Sequence, residues 1–150
     1  MTDNINMTKL NIEKTVQDIL NTIERERERE IISRRYGLFD RKETLEQIGE
    51  LLGITRERVR QLEKAVIAKL KATASEELPH IQDIAAIFEK EITDLGHVVR
   101  ISELTARLAQ EGNKLDQARV SFLAQLVPTL SFVDESDHFH MSAGDRKSVV

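Results

Sequence analysis

The stretch Thr55-Arg-Glu-Arg-Val-Arg-Gln61 packs three arginines, a glutamate and a glutamine behind a threonine, a residue suited to the N-cap of a helix. At about 100° per residue, a helix starting there puts Glu57, Arg60, Gln61 and Lys64 on one side, with Arg56 at its edge. Val59, Leu62, Val66 and Leu70 recur at i, i+3, i+7 and i+11 and face the core. The chemistry open to the polar side is hydrogen bonding to base edges in a major groove. Arginine spans guanine O6 and N7, glutamine pairs with adenine, and glutamate accepts from cytosine N4. Arginine and lysine beside them meet phosphates, which positions the helix without reading sequence.

No other set of side chains competes with this one. Serines and carboxylates sit at caps and solvated faces, with no nucleophile, base and orienter in evident proximity, so no enzyme, small-molecule substrate or cofactor is expected. His138 and His140 alternate on one strand near Asp134 and Asp137, but no third ligand is fixed. The simpler reading is an exposed wing. The chain has no cysteine, which excludes disulfides, thiol chemistry and cysteine-ligated zinc.

The elements that must hold the reading helix can be traced from the pattern. Val16, Ile19, Leu20 and Ile23 predict a first helix over 12–23, and the alternating charges of 24–30 lead into a second that ends at Gly37. Thr44-Leu-Glu-Gln47 has the form of a capping box and opens a short helix to Leu52. Gly53-Ile54 turns into the helix that Thr55 caps, so residues 44–71 form a helix-turn-helix. Ser75, two acids and Pro79 mark 73–79 as a linker. Beyond it the pattern predicts helices over 81–95, 102–109 and 116–126, a short strand at 97–100, and strands at 130–133 and 138–141 around an acidic turn. Three helices followed by a hairpin is a winged-helix order.

The net charge of −4 hides an uneven distribution. Residues 1–23 carry −1, 24–71 carry +3 and 72–150 carry −6, and 56–71 alone carry +4. Positive charge is concentrated on one helix, while the second half repels phosphate. A module at +3 makes few phosphate contacts, so weak, salt-sensitive binding is expected, needing a second tether. No apolar run approaches the roughly 18 residues of a membrane span, and the first residues lack the basic and apolar regions of a signal peptide. A soluble, cytoplasmic protein is expected.

The run from Thr44 to Glu63, Thr-Leu-Glu-Gln-Ile-Gly-Glu-Leu-Leu-Gly-Ile-Thr-Arg-Glu-Arg-Val-Arg-Gln-Leu-Glu, resembles region four of bacterial RNA polymerase sigma factors of the sigma-70 family. Arg27-Glu-Arg-Glu-Ile-Ile-Ser-Arg-Arg-Tyr-Gly-Leu38 resembles the first half of that region. The resemblance covers residues 12–71. It implies that Arg56, Glu57, Arg60 and Gln61 contact the minus thirty-five promoter hexamer, and that Arg27, Leu45, Glu46, Thr55 and Arg58 lie at or beside the DNA backbone. It also implies that the apolar surface of the first two helices grips the polymerase flap, supplying the tether. The sequence departs from the family's pattern in the 24–30 charge repeat, in a short 37–44 connection and in the order Lys64-Ala65. With no tryptophan and six other aromatics, nothing resembles the family's promoter-melting region, so a complete initiation factor is not expected.

Residues 78–142 resemble the HARE-type winged-helix domain, also found in the polymerase delta subunit, through their helix order, Gly96, Ile101-Ser-Glu-Leu104 and the closing hairpin. The helix over 116–126 offers only Arg119 and Gln117 or Gln125 to a groove. Contact with a basic protein surface such as polymerase is therefore expected of this half.

The fold expected is mainly α: a flexible 1–11, a sigma region four-like helix-turn-helix over 12–72, a linker over 73–79, a small winged-helix domain over 80–142 with a C-terminal β-hairpin, and a tail over 143–150. The function expected is promoter reading on double-stranded DNA in association with RNA polymerase. The alternatives are a polymerase-binding adaptor that reads no DNA, or the N-terminal part of a larger HARE-domain enzyme.

Overall fold

The computed structural model describes residues 11–74, 78–96, 98–108, 114–132 and 138–141. Asn11 accepts the Lys14 amide (3.2 Å) and opens α1, Ile12–Leu20, whose Ile12, Val16, Ile19 and Leu20 are all buried. The helix stops short of residue 23, where the Asn21 N–H turns back to the carbonyls of Gln17 and Ile19. The second helix, α2, is Glu26–Tyr36 and starts later than the charge run predicts, because the Arg29 guanidinium donates to the Ile23 and Glu24 carbonyls and fixes a turn there. Gly37 closes α2 in the left-handed conformation (φ 65°).

The predicted capping box at Thr44 is complete. Thr44 accepts the Gln47 amide (3.1 Å) and Gln47 Oε1 accepts the Thr44 amide (2.9 Å), opening α3, Leu45–Leu52. Thr55 accepts the Arg58 amide (3.1 Å) and opens α4, Arg56–Thr73. The second half follows as α5 (Ile81–Leu95), β1 (Val98–Arg100), α6 (Ile101–Leu108), α7 (Lys114–Leu126), β2 (Leu130–Phe132) and β3 (His138–Met141). The central strand β3 pairs antiparallel with both neighbours, Phe139 standing opposite Val99 on β1 and Phe132 on β2. The fold is mainly helical, as expected.

Two clusters of buried side chains organise the molecule. A small one, Ile31, Ile48 and Val59, joins α2, α3 and α4, with Leu45, Leu52, Ile54 and Leu62 packed against it. A large one runs from Ile12 to Leu130 and takes in Val66, Ile67 and Leu70 of α4 together with Phe88 of α5 and Phe122 of α7. The long helix α4 thus gives its first half to one cluster and its second half to the other. Ala74 and Leu78, within the stretch expected as a linker, are buried in the large cluster. The two halves consequently share packing.

The first helix is also placed by that shared core. Its apolar face lies in the large cluster, where α1 packs on α7, so the side chains the resemblance assigns to the flap are covered within the chain. Among the described residues no helix is long and apolar enough to cross a membrane. The expected flexible start, acidic turn, C-terminal tail and the His138 and His140 side chains lie outside what is described, save Asn11.

Candidate nucleic-acid interface

The turn that aims the reading helix depends on close backbone approach. A Cβ on Gly49 would lie 2.6 Å from the Ile54 carbonyl oxygen, too close for any side chain, so glycine lets α3 sit against the turn. Gly53 ends α3 in the left-handed conformation (φ 73°), and its amide donates to the Gly49 carbonyl. The Ile54 amide donates to the same carbonyl (3.0 Å). The start of α4 is therefore fixed relative to α3 by backbone bonds, with Val59 fully buried beneath it.

Around Val59 the remaining side chains stand in solvent. Arg56, Glu57, Arg58, Arg60, Gln61 and Lys64 are all exposed, as the periodicity predicts. Glu57 accepts from Arg60 Nε (3.1 Å) and from its terminal nitrogen (2.7 Å), and Arg58 donates to Gln61 (3.4 Å). The hydrogen bond from Arg60 holds the Glu57 carboxyl below the usual range, and Glu57 in turn raises the Arg60 guanidinium. Solvent screens an exposed pair of this kind, so either member can exchange its partner for a base edge at little cost. Thr55 uses its oxygen to accept the Arg58 amide, which leaves its hydroxyl proton available to a phosphate.

The flanking residues are distributed unevenly. Glu46 and Arg56 border the same shallow depression of about 500 Å³ at the turn, beside Thr55. Arg27 is exposed on α2. Leu45 is half-buried against the Ile31–Ile48–Val59 cluster, so its main contact is internal packing.

Two arginines that the sequence reading passed over brace this unit. Arg34 pairs with Glu30 (3.0 Å) and Glu43 (2.8 Å), and Arg35 reaches Glu63 on α4 (3.4 Å) and the Glu43 carbonyl (3.3 Å). These contacts tie the 37–44 connection to α2 and α2 to α4. Their signal was the Arg34-Arg35 pair in the last turn of a helix, a position where cations also favour the helix dipole.

The helix α7 is placed differently. Arg119, read from sequence as a side chain offered to a groove, is 8 % exposed. Its Nε donates to the Leu38 carbonyl (2.7 Å), a second nitrogen meets Asp116 (3.4 Å), and the guanidinium lies over the Phe39 ring (5.4 Å). Three residues further along, Phe122 packs on Tyr36 with ring centroids 5.4 Å apart. Burial, with Glu63 nearby, pushes the Tyr36 phenol up to about 12. Among the described residues no group of three or more histidines, cysteines or carboxylates is placed to hold a metal.

Comparison with known proteins bears on residues 25–72, which match the family model of sigma-70, region 4. Over 61 residues, or 40 % of this chain, the sequence is 41 % identical to RNA polymerase sigma factor SigA of a Bacillus species and 43 % identical to SigA1 of Synechococcus elongatus. SigA of Microcystis aeruginosa is 41 % identical over the same length. The matched stretch spans only 14–16 % of the length of these relatives. No solved structure matches the chain significantly. Residues 25–72 thus resemble sigma-70, region 4, and fold as a helix-turn-helix.

Proposed function

We propose that the chain reads promoter DNA of the minus thirty-five type through Arg56, Glu57, Arg60 and Gln61, and does so in association with RNA polymerase. The observation that carries this reading is the exposed first two turns of α4, held by Gly49, Gly53 and Thr55 and supported on a buried Val59. Arg58, Lys64, Arg27 and the Thr55 hydroxyl flank that surface and serve the backbone, Glu46 and Leu45 lying beside it. The net +3 of residues 24–71 gives few phosphate contacts, so binding by this module alone is weak and salt-sensitive.

Polymerase supplies the tether. The apolar face of α1 is covered by α7, so in this reading the flap contact does not use that face, and docking falls to exposed surface of α2 and of the acidic second half. The resemblance of residues 78–142 to a HARE-type winged helix, and the −6 carried by 72–150, support a protein rather than a DNA partner there.

The test is Arg60→Ala, assayed for binding to a promoter fragment with polymerase present. Loss of a bidentate base contact costs about 1–3 kcal/mol of discrimination, and that loss should be confined to one base position. Lys64→Ala should instead weaken all sequences alike and flatten the salt dependence. Unchanged promoter binding by Arg60→Ala would leave the adaptor reading, in which the chain binds polymerase and reads no bases.

A further inference from the structure

Where the two halves meet, a groove of about 610 Å³ opens between the 37–42 loop and α7. Its floor is apolar: Phe39, Leu115 and Ala118, with Ile101 buried behind them. Phe39 is one of three large hydrophobic side chains left exposed among the described residues, 38 % accessible although the Arg119 guanidinium lies over its ring. None of these lining residues belongs to the reading surface of α4.

The rim is mostly positive. Arg41, Lys42 and Lys114 are exposed, line the groove and make no ion pair among the described residues. Among the described residues the only acid lining it is Asp40, one of whose oxygens accepts the Arg41 amide (2.8 Å). On α1, α2, α4 and α5, by contrast, Lys14, Arg34, Arg60 and Lys90 each pair with a carboxylate at short range. Three cations left without such partners, in a chain of net charge −4, are complementary to an anionic occupant.

We propose that this groove docks an acidic peptide segment of a partner protein, seating one large apolar side chain on Phe39, Leu115 and Ala118 and its carboxylates against Arg41, Lys42 and Lys114. A DNA backbone fits the rim but leaves the apolar floor without a complement, whereas a peptide with an apolar anchor inside an acidic run satisfies both. The occupant would touch the 37–42 loop and α7 together, and so clamp the junction that Arg119 already bridges.

The experiment is selection of a random twelve-residue displayed peptide library on the full chain, followed by anisotropy measurements with the enriched peptide. The expected result is enrichment of acidic sequences carrying one or two large apolar residues. Affinity should fall at least tenfold in Lys42→Glu/Lys114→Glu, a pair of exposed sites whose variant is checked for unchanged circular dichroism, and at least tenfold in Phe39→Ala. Failure to enrich acidic peptides would overturn the proposal, as would peptides indifferent to both variants. If no peptide is selected and Lys42→Glu/Lys114→Glu instead weakens binding to double-stranded DNA of random sequence, the rim is a phosphate path and the proposal is wrong. Promoter reading through Arg60 is measured separately and can stand or fall without it.

Discussion

The first turns of α4 and the helix α7 each follow an eight-residue helix and each carry an arginine, yet they are used in opposite ways. On α4 the buried Val59 is surrounded by exposed Arg56, Glu57, Arg58, Arg60 and Gln61. On α7, Val120, Phe122, Leu123, Ala124 and Leu126 are buried, and Arg119 spends its guanidinium on the Leu38 carbonyl. A helix that is apolar on most sides is a packing element, and one with a single apolar stripe can present the rest to a ligand. The difference teaches that arginine marks an interface without saying which kind. Burial decides between a base edge and a carbonyl of the same chain.

The largest test of that contrast is Phe122→Ala. Removing a fully buried phenylalanine costs about 3–5 kcal/mol, and here the loss falls at the junction of the two halves. With one tyrosine and no tryptophan in the chain, Tyr36 fluorescence reports the helix-turn-helix side, while far-ultraviolet circular dichroism reports all helices. Both urea transitions should shift together to lower denaturant. Two separate transitions, with the Tyr36 midpoint unmoved, would break the picture of a shared core.

Arg119→Met comes next. It strands the Leu38 carbonyl without its charged donor, a loss of about 1.5–3 kcal/mol in thermal or urea unfolding. Promoter affinity, measured well below the melting temperature, should not change. Arg60→Ala sharpens the comparison from the other side: base discrimination is lost, while the unfolding midpoint stays where it is in the unaltered chain. Were Arg119→Met to weaken DNA binding as Arg60→Ala does, α7 would be a second reader. Between the two in stability lies Thr55→Ala, which removes the cap accepting the Arg58 amide and costs about 1 kcal/mol in the same unfolding assay.

Several local devices were readable from sequence because each lies within a few residues. The Thr44–Gln47 capping box, the Thr55 cap, the closing glycines at 37, 53 and 96 and the exposed side of α4 follow from spacing alone. Helix α5 has the limits its periodicity predicts. The junction was not readable. Arg119 and Leu38 are 81 positions apart, and Arg35 and Glu63 are 28 apart, so no local window contains both partners. The apolar stripe of α1 is likewise the same whether it packs on α2, on a polymerase or on α7, and only the assembled core selects α7. Arg119 could be counted among side chains offered to a groove for that reason: on a helix seen alone, an arginine bound to a distant carbonyl is indistinguishable from one facing solvent.

The finest test of the junction is the ionisation of Tyr36, whose phenol burial raises to about 12. The unfolded chain titrates near 10, so between those values the folded state holds a proton that the unfolded state has lost. The contribution to stability is complete below about pH 10 and declines as pH rises through the folded value. Phenolate absorbance of the folded chain should therefore have its midpoint near 12, and since Tyr36 is the single tyrosine the signal has one source. Phe122→Ala, by admitting water beside the ring, should bring that midpoint back toward 10, while Arg60→Ala should leave it in place. A wild-type midpoint near 10 would mean that α7 does not cover Tyr36, and the contrast between the two helices would lose its structural basis.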